Sequence, residues 1–256
     1  MILAADVGGT KTLIGLFQES GDDVRGLFER RYQNSAFLSL IGLINQFFKE
    51  CNPGEPPEIS GTCFALAGPV AGDTCDMTNL QWKVKTREIL DRFPWLQRVT
   101  LVNDLQAMGE GIELLERNEI MPLRGKIPHS KDTDLTSGKR FAVLAPGTGL
   151  GVSFGLGGRI FNSESGHCEF GPANREDMSI WNYFFKRYGR VSYEHVLCGQ
   201  GILDLYNYFH CEIRGLSKDK TRPEEVTEGA GLKECPDCVK AMECYCRLLG
   251  SVSGNA

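Results

Sequence analysis

The sequence predicts an α/β protein of two lobes, and three features of the chain carry this prediction. Short β-prone apolar runs alternate with apolar runs of helical spacing, which is the pattern of sheets covered by helices. A strand, a glycine turn and a returning strand open the chain at residues 2–17. The same design returns at residues 140–156, so we expect a second sheet. We place the two lobes at residues 1–110 and 111–256.

The elements of the first lobe follow from the spacing of apolar residues. Apolar runs on both sides of Gly8-Gly9 predict a hairpin. Phe37, Leu40, Ile44 and Phe47 recur at helical spacing and predict an amphipathic helix. The predicted elements are strands at 2–7, 12–17 and 24–32, a helix at 35–51, a loop at 52–58, a strand at 61–67, a helix at 86–93, a strand at 98–103 and a helix at 105–117.

The second lobe begins after a polar stretch interrupted by proline and glycine, residues 118–139, which predicts a loop. Two strands are then predicted around the second glycine turn, and three helices follow. These elements are strands at 140–145 and 151–156 and helices at 176–188, 199–213 and 235–250.

A shift of 140 residues relates the two glycine hairpins. It places Ala5 on Ala145, Gly9 on Gly149, Gly15 on Gly155 and Leu16 on Leu156. Four identities are weak support for a repeat, but the shared strand–turn–strand design indicates two sheets that each offer a glycine hairpin to one cleft.

Composition excludes several classes of protein. The net charge of the 256 residues is −5 with both signs mixed, and no basic stripe indicates nucleic-acid binding. No apolar run approaches the length that spans a membrane, and the first residues carry no export signal. We therefore expect a soluble cytoplasmic protein whose ten cysteines are mostly reduced, buried and structural.

Four cysteines near the end of the chain raise the alternative of a zinc site. Cys235 and Cys238 form a C-x-x-C pair, and Cys244 and Cys246 follow. Against zinc, Pro236 suits the first turn of a helix, and four thiols on one helix do not converge on a tetrahedral ion. We favour a structural helix here.

The two glycine hairpins are candidates for holding phosphate. Without side chains, a glycine turn brings backbone N–H groups close to a ligand, and successive N–H groups form an anion site. The first turn offers Gly8, Gly9 and Thr10, and the second offers Gly147, Thr148 and Gly149. Asp6 cannot favour bare phosphate but can hold Mg²⁺ beside it, usually through water. The alternative is two ordinary turns, the first with a turn-stabilising Asp.

Asn103 and Asp104 stand where a buried strand ends and a helix begins, the usual ligand position in α/β sheets. The helix N-terminus favours the carboxylate form of Asp104. The alternative is a simple helix cap, which explains one of these residues and leaves the polar amide before it unexplained.

A third group of polar residues consists of Glu164 and His167 in a glycine-containing loop, joined by Glu194. Carboxylates commonly bridge the vicinal hydroxyls of polyols. A metal site is the alternative, but the paired-His spacing of such sites is missing.

Together these motifs resemble the bacterial-type glucokinase family, of the actin/hexokinase-like (ribonuclease H-like) superfamily. The segments are "DVGGTKT", "LVNDLQAMGEGI", "APGTGLGVSFG", "SESGHCEFGP" and "VSYEHVLCGQGILDLY". Their order and spacing fit over the whole chain. The final "LLGSVSGNA" resembles the start of a segment that in the family continues into an adenosine-binding glycine strand and a last helix, so we expect a C-terminally incomplete fold.

The resemblance implies ATP-dependent phosphorylation of glucose to glucose 6-phosphate, with Mg²⁺, by a homodimer. Asp104 would be the general base and Asn103 would orient neighbouring hydroxyls. Glu164, His167 and Glu194 would bind the remaining hydroxyls of the sugar. The two hairpins would hold the phosphates of ATP. Two alternatives stay open: a kinase of another hexose, and a sugar-binding or regulatory protein without turnover.

Overall fold

The computed structural model describes residues 1–21, 23–51, 58–77, 80–115, 117–123 and 140–255. Almost all of the loop predicted at 52–58 and most of the loop predicted at 118–139 lie outside these residues. The chain divides into two compact units, Met1–Gly111 and Ile112–Ala256.

The first unit is built on a five-stranded sheet with the order β3-β2-β1-β4-β8. Strands β1, β2 and β3 are antiparallel neighbours, whereas β4 runs parallel to both β1 and β8. The carboxyl ends of β1, β4 and β8 therefore meet at one edge, where ligands bind in sheets of this kind. The elements are β1 (Ile2–Val7), β2 (Lys11–Ser20), β3 (Asp23–Gln33), α1 (Leu40–Cys51), β4 (Gly61–Leu66), β5 (Val70–Ala71), β6 (Thr74–Met77), β7 (Trp82–Lys85), α2 (Thr86–Arg92), β8 (Val99–Asn103) and α3 (Asp104–Gly111).

The core of the first unit lies between the sheet and its helices. Alternate residues of β1 and β4 are buried, as expected for strands packed on one face. Helix α1 buries Phe47 completely, and its ring lies 5.5 Å from that of Phe28 on β3. Phe48 reaches Phe93, after α2, at 5.7 Å. These aromatic contacts fix α1 on the sheet.

Three features of the first unit differ from the sequence prediction. Strands β5, β6 and β7 form a small separate sheet that was not predicted, although Cys75/Met77 and Trp82/Val84 alternate with polar residues. Helix α1 begins at Leu40, after a 3-10 turn at Asn34–Ala36, instead of at residue 35. Helix α3 ends at Gly111 and passes into a 3-10 turn, not at residue 117, because glycine is a poor helix former.

In its described residues, the second unit combines the antiparallel sheet β11-β10-β9 with five α-helices. Its core is formed by apolar side chains of α4, α6 and α8, including the fully buried Phe184, Leu205 and Ala241. The elements are β9 (Arg140–Pro146), β10 (Leu150–Leu156), β11 (Arg159–Ser163), α4 (Arg175–Tyr188), α5 (Tyr193–Val196), α6 (Gly199–Asn207), α7 (Pro223–Gly231) and α8 (Pro236–Asn255).

Three elements of the second unit were missed, β11, α5 and α7, and α5 (Tyr193–Val196) has only four residues. Strand β11 follows a two-residue turn of Gly157 and Gly158, both with positive φ, which is a recognisable hairpin signal. Helix α7 begins at Pro223, and the Glu225 carboxylate accepts the N–H groups of Thr221 and Arg222, both at 2.9 Å.

For two helices of the second unit, the observed bounds differ from the predicted ones. The helix predicted at 199–213 is helical to Asn207 and continues as a π-helical turn at Tyr208–Ile213. The helix predicted at 235–250 runs from Pro236 to Asn255.

Cysteines 235 and 238 lie at the start of α8, where the Cys238 N–H donates to Cys235 Sγ at 3.4 Å. Cys238 and Cys244 are buried in the core of the second unit. Among the described residues, no group of three or more His, Cys, Asp or Glu side chains could hold a metal ion. Within the same residues, no helix has the length and apolar character needed to cross a membrane.

Replacement of Phe64 by alanine tests the core of the first unit. Phe64 is fully buried on β4, between β1 and β8. We expect Phe64→Ala to lower the free energy of unfolding by about 3–5 kcal/mol, through lost burial and a residual cavity. Urea denaturation followed by tryptophan fluorescence measures this. The control is Leu38→Ala, at a side chain that is 98% exposed, and it should change stability by less than about 0.5 kcal/mol. A loss below about 1 kcal/mol for Phe64→Ala would contradict the packing described.

Candidate active site

The first glycine turn, Gly8–Thr10, joins β1 to β2. The Gly8 N–H donates to the Lys11 carbonyl at 3.0 Å and closes the turn. A Cβ at Gly8 would lie 3.2 Å from that carbonyl oxygen, which is tighter than most side chains tolerate. Thr10 is exposed at the tip. The turn therefore presents backbone and a hydroxyl at the carboxyl end of β1.

Asn34 holds this turn in place, and sequence reasoning missed it. Its side-chain amide donates to the Gly8 carbonyl at 2.8 Å, and its backbone N–H donates to the Thr10 carbonyl at 2.9 Å. Its Oδ1 accepts the Thr12 hydroxyl at 2.7 Å. Both Asn34 and Thr12 are buried. The only signal in the sequence was a polar amide directly after a strand.

Asn103 and Asp104 lie at the junction of β8 and α3. The Leu105 N–H is shared between Asn103 Oδ1 at 3.1 Å and Asp104 Oδ1 at 2.9 Å, so both side chains cap the helix. The Asn103 amide also donates to the Gly68 carbonyl at 3.1 Å. These bonds fix the orientation of both residues at the edge of the sheet. Capping and ligand binding are compatible here, because each side chain has more than one polar atom.

The carboxyl groups of Asp6 and Asp104 sit at the same edge, at the ends of β1 and β8 with β4 between them. Partial burial raises the pKa of Asp6. Partial burial also raises the pKa of Asp104; the Leu105 N–H opposes this shift, and the negative charge of Asp6 adds to it. A carboxylate with a raised pKa accepts a proton more readily, as a general base requires.

The second glycine turn, Gly147–Gly149, joins β9 to β10. The Gly147 N–H donates to the Gly149 carbonyl, and the Gly147 carbonyl accepts the N–H of Gly199 at the start of α6, both at 2.8 Å. A Cβ at Gly147 would meet nothing within 4 Å. Gly147 and Thr148 are exposed. The tip of this turn is therefore open to approach by a ligand.

Glu164, His167 and Glu194 come together beside the second turn. His167 Nδ1 lies 3.5 Å from Glu194 Oε1, and His167 Nε2 lies 3.6 Å from Glu164 Oε2. The exposed fractions of the side chains are 87% for Glu164, 56% for His167 and 32% for Glu194, so polar atoms of all three can reach a ligand. At these distances the contacts of His167 with the two carboxylates contribute little to stability.

Local packing explains why this group forms. His167 ends a 3-10 turn in which a Cβ at Gly166 would lie 2.0 Å from the Leu150 carbonyl, so only glycine lets the turn pack on β10. Glu194 is the second residue of α5, which Ser192 and His195 cap reciprocally. The structure thus brings together the predicted residues within each unit: Asp6, Gly8, Gly9, Thr10, Asn103 and Asp104 in the first, and Gly147, Thr148, Gly149, Glu164, His167 and Glu194 in the second.

The fold of the chain is that of the sugar kinases of actin-like ATPase type. Glucokinase from Balamuthia mandrillaris in complex with glucose superposes with a TM-score of 0.76 at 24% identity, over 97% of this chain and 73% of that one. A ROK family glucokinase from Streptomyces griseus in complex with glucose and AMPPNP gives a TM-score of 0.59 at 17% identity, over 97% and 76% of the two chains. The predicted fold class is confirmed.

The chain belongs to the glucokinase family, because the family model described as Glucokinase matches residues 3–256. The glucokinase of Nostoc sp. is 33% identical over 216 residues, which are 81% of this chain and 60% of that relative. This chain thus spans about three fifths of the length of that curated relative. The resemblance to the glucokinase family that the motifs indicated is confirmed.

Removal of the Asn34 side chain tests how the first turn is held. Asn34→Ala leaves the Thr12 hydroxyl without its acceptor and the Gly8 carbonyl without the side-chain donor. We expect a stability loss of about 1–3 kcal/mol and faster hydrogen exchange at the Gly8 amide. Hydrogen exchange followed by NMR measures this. Thr12→Val is the control, since it keeps both contacts of Asn34 to the turn. Equal exchange at Gly8 in Asn34→Ala and in the unaltered protein would refute the role.

The raised pKa of Asp104 has a consequence for stability. Between the pKa of the unfolded chain and the higher pKa of the folded one, the folded protein binds more protons. The contribution of Asp104 to the free energy of unfolding is therefore fully present below the pKa of the unfolded chain, about 3.9, and is lost as pH rises through the folded pKa. Asp104→Asn removes this titration, so we expect it to stabilise the protein relative to the unaltered chain, increasingly so as pH rises from 4.5 to 7.5.

Urea denaturation across this pH range measures the difference. The control is Asp91→Asn, at a carboxylate that is 74% exposed, where solvent screening leaves little to gain at any pH. A stability difference for Asp104→Asn that stays constant or shrinks with rising pH would contradict the electrostatics described.

Proposed function

We propose that the chain transfers the γ-phosphoryl group of ATP to the 6-hydroxyl of glucose, giving glucose 6-phosphate and ADP. The observation that carries this proposal is Asp104, a carboxylate of raised pKa held in a fixed orientation at the carboxyl edge of the sheet. Membership of the glucokinase family supports the choice of reaction.

Asp104 acts as the general base. The 6-hydroxyl gives its proton to the Asp104 carboxylate as its oxygen bonds to the γ-phosphorus, and the bond from that phosphorus to the oxygen of ADP breaks. Such transfers depend mostly on positioning and charge neutralisation, with one base for the nucleophile. Asn103, fixed by the Gly68 carbonyl, orients the neighbouring hydroxyls.

Glu164, His167 and Glu194 bind the hydroxyls of the sugar. A carboxylate accepts from hydroxyls, and the histidine ring can accept or donate. Their exposure and their mutual distances of 3.5–3.6 Å leave polar atoms of all three within reach of one small polyol. The relative from Balamuthia mandrillaris, solved in complex with glucose, supports glucose as the sugar.

The two glycine turns bind the phosphates of ATP, through Gly8, Gly9 and Thr10 and through Gly147, Thr148 and Gly149. The AMPPNP complex of the Streptomyces griseus relative supports ATP as the donor. Asp6 would hold Mg²⁺, through water. The donor chemistry fits, since Mg²⁺ prefers carboxylate oxygen and water, and a cation here would offset the repulsion between Asp6 and Asp104. When bound, the ion would neutralise charge on the phosphates.

We also propose that residues 1–110 and 111–256 act as the two lobes of the enzyme, and that the enzyme is a cytoplasmic homodimer. All ten cysteines are free, which supports a reducing compartment. The dimer rests on the family resemblance alone, and sedimentation velocity tests it.

Asp104→Asn separates catalysis from sugar binding. We expect kcat to fall about 10²–10⁴-fold, because the base is lost. Glucose affinity should change by less than about threefold, because the amide keeps polar atoms where the carboxylate had them. A coupled assay for glucose 6-phosphate and calorimetric titration with glucose measure the two quantities. Asp76→Asn, at an exposed carboxylate of the same unit, is the control and should retain activity.

Normal turnover of Asp104→Asn at saturating glucose would refute the assignment of the base. If the unaltered chain binds glucose but makes no glucose 6-phosphate in the presence of ATP and Mg²⁺, the chain is a sugar-binding protein without turnover.

A further inference from the structure

Gly149 differs from the other glycine of its turn in what lies beside it. A Cβ at Gly149 would lie 2.4 Å from Glu194 Oε2 and 3.1 Å from Glu194 Cδ. At Gly147 a Cβ would meet nothing within 4 Å. The missing side chain at position 149 therefore makes room for a carboxylate of the same protein, whereas the missing side chain at 147 faces open space.

The Glu194 carboxylate connects two neighbouring structures through its two oxygens. Oε2 accepts the N–H of Leu150, the residue that follows the turn, at 2.9 Å. Oε1 lies 3.5 Å from His167 Nδ1. The Leu150 N–H is thus committed to Glu194 and is not offered to phosphate. One carboxylate ties the second glycine turn to the group of residues that faces the sugar.

The backbone that carries Glu194 is itself well held. Ser192 and His195 cap α5 reciprocally, and the Tyr193 N–H donates to the Cys168 carbonyl at 3.0 Å. Because the backbone at Glu194 is fixed, a movement of the turn at Leu150 must change the hydrogen bond to the Glu194 carboxylate.

We propose that Gly149 is a positioning residue of the sugar site, and that Glu194 couples this site to the second glycine turn so that glucose and the phosphates of ATP favour each other's binding. The proposal rests on the proposed function. A hydroxyl bound to Glu194 holds the carboxylate, and the carboxylate holds Leu150 and the turn. The first ligand to bind thus orders the groups that the second needs, and the coupling is reciprocal.

The test compares Gly149→Ala with the control Gly231→Ala, at the end of α7, in the full chain. Titration calorimetry gives the dissociation constant of glucose alone and with Mg²⁺-AMPPNP. We expect Gly149→Ala to weaken glucose binding about tenfold or more without nucleotide, the loss of one hydrogen bond to a charged group. Gly231→Ala should leave glucose binding within about twofold, because its Cβ meets nothing within 4 Å and it lies outside the proposed site. AMPPNP should tighten glucose binding about fivefold or more in the unaltered chain and not in Gly149→Ala.

NMR of the unaltered chain tests the proposal even if Gly149→Ala fails to fold. Glucose alone, added to the isotope-labelled chain, should shift the NMR resonance of the Leu150 amide, because its acceptor then also binds hydroxyls. Resonances of β11 are the internal reference.

The outcomes separate the two proposals. If glucose binds the unaltered chain but the Leu150 amide does not move and Gly149→Ala binds glucose normally, the coupling is refuted while the sugar site stands. If glucose does not bind the unaltered chain, the proposed function fails first and the coupling with it.

Discussion

The candidate site residues of each unit depend on a tight glycine turn, which one polar side chain from the element beside it holds in place. Asn34 donates to the Gly8 carbonyl of the first turn, and Glu194 accepts the Leu150 N–H that follows the second. The Gly8 and Gly147 N–H groups close their own turns, and the side chains of Asn34 and Glu194 hold the turns from outside. In both units this is done by a side chain with several polar atoms, which leaves the tip of the turn open.

The fold also places two acidic side chains close together. Asp6 and Asp104 are brought to one edge of the sheet by parallel strands, where partial burial and, for Asp104, the nearby Asp6 raise the pKa. This arrangement reduces the stability of the folded protein at neutral pH and makes Asp104 a better proton acceptor. A cation and a nucleophilic hydroxyl are the two ligands that would relieve it. The unfavourable interaction between the Asp6 and Asp104 carboxylates therefore lies at the edge of the sheet where the proposed reaction needs a base.

Much of this could be predicted from the sequence, because its signals are local. The two hairpins, the junction of β8 and α3 at Asn103-Asp104, and the group of Glu164, His167 and Glu194 all follow from spacing and residue type. Asn34 could not be assigned, because its contact with the turn depends on the register of β2 and β3, which includes a bulge at Leu16/Phe17. Gly149 was assigned to phosphate, and its contact with Glu194 is visible only once α5 is packed against the turn.

The small sheet of β5, β6 and β7, strand β11 and helix α7 were missed for a different reason. Each had a readable signal: alternation at Cys75/Met77 and Trp82/Val84, the Gly157-Gly158 pair, and Pro223 before two glutamates. A short element contains too few residues to show a clear periodic pattern, so the surrounding polar residues predict a loop instead. These elements carry none of the predicted site residues, whereas the short helix α5, which was also missed, carries Glu194.

Hydrogen–deuterium exchange with and without Mg²⁺-AMPPNP tests the proposal that both glycine turns hold the phosphates of a nucleotide. We expect slower exchange in peptides that cover Gly8–Thr10 and Gly147–Gly149, with no change in β11. Binding of Mg²⁺-AMPPNP that leaves exchange at both turns unchanged would contradict it.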